Sequence, residues 1–176
     1  LTSVSAVFGL PFITLMPVLA RDRLALDAGG YGALLAALGA GGLTGALLIA
    51  GPASHWRRGH LLRAAGLAYP ALVVALAATT QVSLAKGMLF VTGVTMIIFN
   101  SMANSTLQLG VSEAYRGRLM AFYAMMYVGM SQLLGAFALG AAARLVGVHW
   151  AIGMSAGVLF AVAAWTFWHT PSLAEG

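Results

Sequence analysis

The chain has 176 residues, 61% of them hydrophobic and only 7% charged, with nine Lys/Arg, four Asp/Glu and a net charge of +5. Soluble domains carry roughly 25% charged residues to face water, disorder needs low hydrophobicity and high charge, and a disulfide scaffold needs the Cys that this chain lacks. An integral membrane protein remains, with room for six spans of about 20 residues each joined by short loops.

Apolar runs occupy residues 3–20, 28–51, 61–80, 87–109, 119–143 and 146–168. Each is apolar all round, which marks a helix facing lipid or buried on every side. Ten-residue segments of alternating polarity are absent, so a membrane barrel is not indicated. The expected fold is an all-α membrane protein of six transmembrane helices, forming a single domain over residues 1–176. Position 1 is Leu, so a segment cut from a longer precursor is expected. The first run lacks both a preceding basic region and a small-x-small cleavage site, and so reads as a span rather than a signal peptide.

The first run holds Gly9, Pro11 and Pro17, and each Pro removes a backbone hydrogen bond and favours a kink. Arg21-Asp22-Arg23 and Asp27-Ala28-Gly29-Gly30 bound the first loop. The second run is glycine-rich, and Gly41 and Gly45 form a small-xxx-small pair that lets two helix backbones approach closely. Such a pair serves static packing or a surface along which helices slide. Gly51-Pro52 ends this run, and the basic second loop follows with Arg57, Arg58 and Gly59.

The fourth run carries Asn100, Asn104 and Gln108 four residues apart, on one slowly drifting face, beside Ser101, Ser105 and Thr106. Amides in hydrocarbon need partners, so this face points into the bundle or a wet cavity. The fourth loop is expected at Ser112-Glu113-Ala114-Tyr115-Arg116-Gly117-Arg118. On the fifth run Tyr123, Tyr127 and Ser131 repeat the spacing of four, with Gln132 adjacent. A tight fourth loop places Asn104 and Tyr127 at similar depth on antiparallel neighbours. These side chains either line a cavity or only bond one another across the bundle. Trp150 opens the sixth run, and Trp165 and Trp168 close it, about 27 Å apart along a helix, either as an interfacial aromatic belt or as packed aromatics of a spanning helix.

Cations gather in small groups between runs, not on one face as nucleic-acid binding requires, so no nucleic-acid partner is expected. Loops two and four hold Arg57, Arg58, Arg63, Arg116 and Arg118, against Arg21, Arg23, Lys86 and Arg144 in the others. That asymmetry puts loops two and four, and both ends, in the cytoplasm. Catalytic residues are not evident: no nucleophile stands beside a base. His55 and His60 have no third ligand nearby, so neither a metal nor another cofactor is expected. Asp22, Asp27, Glu113 and Glu175 all lie outside the apolar runs, so a proton-coupling group is not expected within these spans.

Asn104-Ser105-Thr106-Leu107-Gln108, followed by Glu113-Ala114-Tyr115-Arg116-Gly117-Arg118-Leu119-Met120-Ala121, resembles the loop between the tenth and eleventh helices of the major facilitator superfamily. Gly51-Pro52-Ala53-Ser54-His55-Trp56-Arg57-Arg58-Gly59-His60 resembles that superfamily's basic loop between helices eight and nine. The glycine-rich second run looks like its eighth helix. The resemblance covers nearly all of the chain and implies the C-terminal six-helix half of a transporter, nearest to bacterial enterobactin and multidrug exporters. It departs from the pattern where Ser54 and His55 stand in place of an Asp, and where Ser112 replaces a Pro.

The resemblance implies secondary active efflux of small, largely apolar organic molecules by alternating access, in the bacterial inner membrane. The partners it implies are the lipid bilayer, an N-terminal six-helix half and a small-molecule substrate. Asn100, Asn104, Tyr123, Tyr127 and Gln132 then become the expected substrate wall. Arg57, Arg58, Glu113, Arg116 and Arg118 become the expected cytoplasmic gate. The alternative is a non-transporting assembly or regulatory module built on the same bundle, and an intramembrane enzyme is disfavoured.

Overall fold

A computed structural model describes residues 12–51, 58–109, 112–125 and 131–169. The described residues form seven α-helices: α1 (Phe12–Asp22), α2 (Ala28–Ala50), α3 (Arg58–Ala78), α4 (Val82–Leu109), α5 (Glu113–Ala124), α6 (Ser131–Val146) and α7 (Val148–His169). Four of them, α2, α3, α4 and α7, are long and apolar enough to cross a membrane, and Leu133–Val146 is a shorter apolar helix. Leu43, Leu47, Phe137, Leu145 and Trp168 are exposed. A protein surrounded by hydrocarbon need not bury such residues, because lipid tails are as apolar as its core.

Several helix boundaries differ from those read in the apolar runs. Helix α3 begins at Arg58 rather than 61, so His60 and Arg63 are helical. Helix α4 begins at Val82 rather than 87, which moves Lys86 from the third loop onto a helix. Ser112 is the N-cap of α5, and Tyr115 N donates to the Ser112 carbonyl at 3.0 Å. Residues 113–118, expected as the fourth loop, are therefore the opening turns of a helix. Hydropathy marks where a span meets hydrocarbon, but a helix continues until capping or turn chemistry stops it.

Local chemistry fixes the other ends. Asp27 caps α2, its Oδ1 accepting from Gly30 N at 2.8 Å. Ala25 adopts φ 49° in the turn before it. Pro17 and Pro70 both lie inside helices, where each leaves the carbonyl four residues earlier without its helical donor. Pro11 lies outside the described residues. Several threonine hydroxyls are satisfied within their own helices: Thr44 Oγ1 donates to the Ala40 carbonyl at 2.8 Å, Thr92 to Met88 at 2.7 Å and Thr166 to Val162 at 2.7 Å. The bilayer offers no water to such groups.

Helix α4 packs parallel to α2 and antiparallel to α3, and α7 packs antiparallel to α3 and α6. One buried cluster joins Phe12, Met16, Leu34, Tyr69, Leu76, Leu89 and Ile152, and includes an edge-on contact of the Phe12 and Tyr69 rings at 6.5 Å. A second, toward the opposite end of α3 and α4, joins Leu61, Leu62, Phe99, Met102 and Ala163.

The α2–α4 contact is the closest. A Cβ placed on Gly41 would run into the Phe90 carbonyl oxygen, and one on Gly45 would stand 2.8 Å from the Val94 carbonyl oxygen. Gly93 of α4 reciprocates: its Cβ would strike the Leu38 carbonyl and come within 2.8 Å of Gly42 N. All the obstructing atoms are backbone, so no side chain can yield. Gly32 and Gly39, on the same helix as Gly41, have open space around them.

Gly41→Ala and Gly93→Ala should each destabilise the bundle by about 1–3 kcal/mol through overpacking. Gly39→Ala should be neutral or stabilising by up to about 1 kcal/mol through helix propensity. Denaturation of the purified variants in mixed micelles checks this, and equal stability of Gly39→Ala and Gly41→Ala would refute the backbone contact.

Candidate functional site

Helix α4 has 28 residues and is about 42 Å long, so it exceeds the ~30 Å hydrocarbon thickness. Asn100, Asn104 and Gln108 lie in its second half, half-buried, and run from near the helix midpoint toward its C-terminal end. Thr92, Phe99 and Ala103, on an adjoining face, are buried. The amide stripe thus lies beside the core-facing residues of α4 instead of among them.

Gln108 Nε2 donates to Asn104 Oδ1 at 2.9 Å, one helical turn away. This bond uses the acceptor of one amide and a single donor of the other. An amide carries two donors and an acceptor with two lone pairs. The pair therefore holds its orientation without a neighbouring helix and retains hydrogen-bonding capacity for a ligand or water. Thr106 Oγ1 is directed away, donating to the Met102 carbonyl at 2.8 Å.

Tyr123 is half-buried near the end of α5. Tyr127 lies outside the described residues, so the expected pairing of Asn104 with Tyr127 falls outside them too. Gln132 lies in the first turn of α6. The expected wall is therefore described at Asn100, Asn104 and Tyr123 and at the backbone of Gln132.

Arg57 lies outside the described residues, and Arg58 opens α3. Glu113 and Arg116 occupy the opening turns of α5, and Arg118 is exposed on the turn that follows. An acidic residue at a helix N-terminus complements the positive end of the helix dipole. Because these residues are helical, their relative placement is set by the helix repeat and not by a loop. Asp22 ends α1, and Asp27 caps α2. No cluster of His, Cys, Asp or Glu that could hold a metal ion occurs among the described residues.

Two features escaped the sequence reading. Gly93 completes the close α2–α4 contact, yet it sits in a run with only Gly87 for company, so no small-xxx-small pattern marks it. A groove of about 430 Å³ joins Arg23, His149 and Trp150, which are remote in sequence. Only tertiary structure brings those residues together.

Replacing Gln108 by Leu should remove the Asn104 bond at a cost of about 0.6 kcal/mol, the average for a hydrogen bond inside a membrane protein. Unfolding midpoints in mixed micelles test this. A loss above about 2 kcal/mol would make the stripe a structural clamp and deny it spare capacity for a ligand.

Neither the curated proteins nor the solved structures contain a significant match to this chain. A family model described as transmembrane secretion effector, of the major facilitator type, matches residues 3–175. The apolar helices agree with that match: this is a multi-pass membrane protein of a transporter family, and the family points away from enzymatic chemistry. The chain belongs to the transmembrane secretion effector family of major facilitator transporters.

Proposed function

We propose that the chain is the C-terminal six-helix half of a bacterial inner-membrane exporter, similar to enterobactin and multidrug efflux proteins. The family match over residues 3–175 carries this reading. It moves small, largely apolar organic molecules by rocking against an N-terminal six-helix half. In this reading α1 extends into the first span, and α5 and α6 together supply the fifth.

The cargo wall comprises Asn100, Asn104, Tyr123, Tyr127 and Gln132. Neutral amides and phenols suit a bulky apolar molecule with a few polar groups, because an unpaired charge is costly in a low-dielectric cavity. The stripe on α4 runs toward the end assigned to the cytoplasm, where an exporter loads. Arg57, Arg58, Arg116 and Arg118 hold the cytoplasmic side closed by engaging helix-end carbonyls or acids of the other half, and Glu113, three residues from Arg116, orients it. Gly41 and Gly45 bring α2 close to α4 while the half moves as a body. Coupling to protons, where it operates, uses a titratable group outside these spans, since Asp22, Asp27 and Glu113 sit at helix ends.

Topology is tested with single cysteines, which this Cys-free chain permits. An impermeant thiol reagent added outside cells should label Ala25→Cys and Gln81→Cys but not Tyr115→Cys. Labelling of Tyr115→Cys from outside would overturn the orientation. Transport is tested in the intact protein with a panel of apolar dyes and antibiotics. Asn104→Ala and Tyr127→Phe should change relative efflux rates across the panel by several-fold while leaving the pH dependence intact. Uniform loss across the panel, or an abolished pH dependence, would remove these residues from the cargo wall.

A further inference from the structure

At the end of the bundle where α1 and α3 finish and α7 begins, a groove of about 430 Å³ is lined by Arg23, Val74, Ala77, His149, Trp150 and Met154, with Ala78 and Gly153. Its floor is apolar, and its mouth carries a guanidinium, an imidazole and an indole. Arg23 is half-buried, and its Nε is buried with no hydrogen-bond partner among the described residues.

Nearby acids do not meet this cation. Asp22 is exposed at the end of α1, and Asp27 directs its Oδ1 to Gly30 N. The Arg23 backbone is held in place, with its N–H on the Leu19 carbonyl and Leu26 N on the Ala20 carbonyl, both at 3.0 Å. A buried guanidinium donor left unmatched is costly, and the forked geometry of Arg suits phosphate.

Trp150 is 61% exposed at the mouth, with the His149 ring 5.3 Å away. An exposed Trp at the end of a span sits at headgroup level. Beside this groove, on the other flank of Met154, lies a second one of about 210 Å³ between α6 and α7, lined by Gly135, Ala138, Ala142, Ser155 and Val158. Met154 borders both grooves. From Ala151 to Val158 the second groove descends about 10 Å along α7. A cation at headgroup height above two adjoining apolar furrows matches a molecule with one anionic head and two hydrocarbon tails.

We propose that this face binds an anionic phospholipid, its phosphate on Arg23 beside His149 and its two acyl chains in the furrows on either side of Met154. The site lies on the flank of α3, α6 and α7, away from the amide stripe of α4, so it stands independently of the transport reading. Charge complementarity selects the head, and the small residues Gly135, Ala138 and Gly153 leave room for the tails.

Trp150 reports occupancy directly. Trp56, Trp165 and Trp168, with every tryptophan of the intact protein outside this chain, are replaced by Phe, and the protein is then reconstituted in phosphatidylcholine vesicles containing a minor fraction of brominated lipid. Brominated phosphatidylglycerol should quench Trp150 more strongly than brominated phosphatidylcholine at equal mole fraction. Arg23→Gln should lower that preference about five-fold, the scale of one cation at an anionic surface, and Arg23→Lys should largely preserve it. Gly153→Leu, which fills the first furrow where a Cβ would be 4.0 Å from that of Ala77, should lower quenching by both lipids. Equal quenching by the two lipids, or a preference unchanged in Arg23→Gln, would overturn the proposal. Relief of quenching by millimolar inorganic phosphate would overturn it in favour of a free-anion site.

Discussion

Inside a bilayer, burying apolar surface gives helices no reason to prefer one another over lipid, so association depends on how closely their backbones approach. In this protein that constraint falls on α2 and α4. Gly41 and Gly45 meet the Phe90 and Val94 carbonyls, and Gly93 meets Leu38 and Gly42 in return. The glycines of one helix fill the spaces left by the other. This interdigitation places α4 beside α2, and α3 then packs against α4 and α7. The position of the amide stripe follows from that order: Asn100 and Asn104 continue, toward the C-terminal end of α4, the line of Gly93 and Ile97 that faces α2.

The polar groups obey a second consequence of the same solvent. Thr44, Thr92, Thr95, Thr106 and Thr166 each donate to a carbonyl in their own helix. Gln108 and Asn104 pair within α4 as well. Each of these groups thus enters the bundle already matched within its own helix, as a solvent without water requires.

Helical class and membrane residence were legible in the sequence because both are properties of composition and run length. The core of each long helix was placed correctly by hydropathy, as Ala28–Ala50 and Val148–His169 show. Boundaries were less legible at Arg58, Val82 and Glu113, where helices extend into polar sequence and hydropathy has no signal. The stripe of Asn100, Asn104 and Gln108 was visible from its spacing of four, since helix geometry alone aligns those residues. The bond between Asn104 and Gln108 was not foreseen, because spacing says which side chains are near but not which rotamers meet. Gly93 and the Arg23 groove were invisible for a stronger reason: each acquires meaning only from residues tens of positions away.

A single residue, Gly147, joins α6 to α7. It sits at φ +88°, its N–H donating to the Ala143 carbonyl at 3.1 Å while its own carbonyl accepts from Ala151 N at 3.0 Å. The two helices are therefore tied without a slack segment, and Gly147 supplies a left-handed conformation that a side chain would oppose. Mechanically the pair is a lever with its fulcrum at the corner. A displacement of the α6 end at Val146 is imposed on Val148 with almost no loss. Motion entering this hairpin at its corner is shared by both arms.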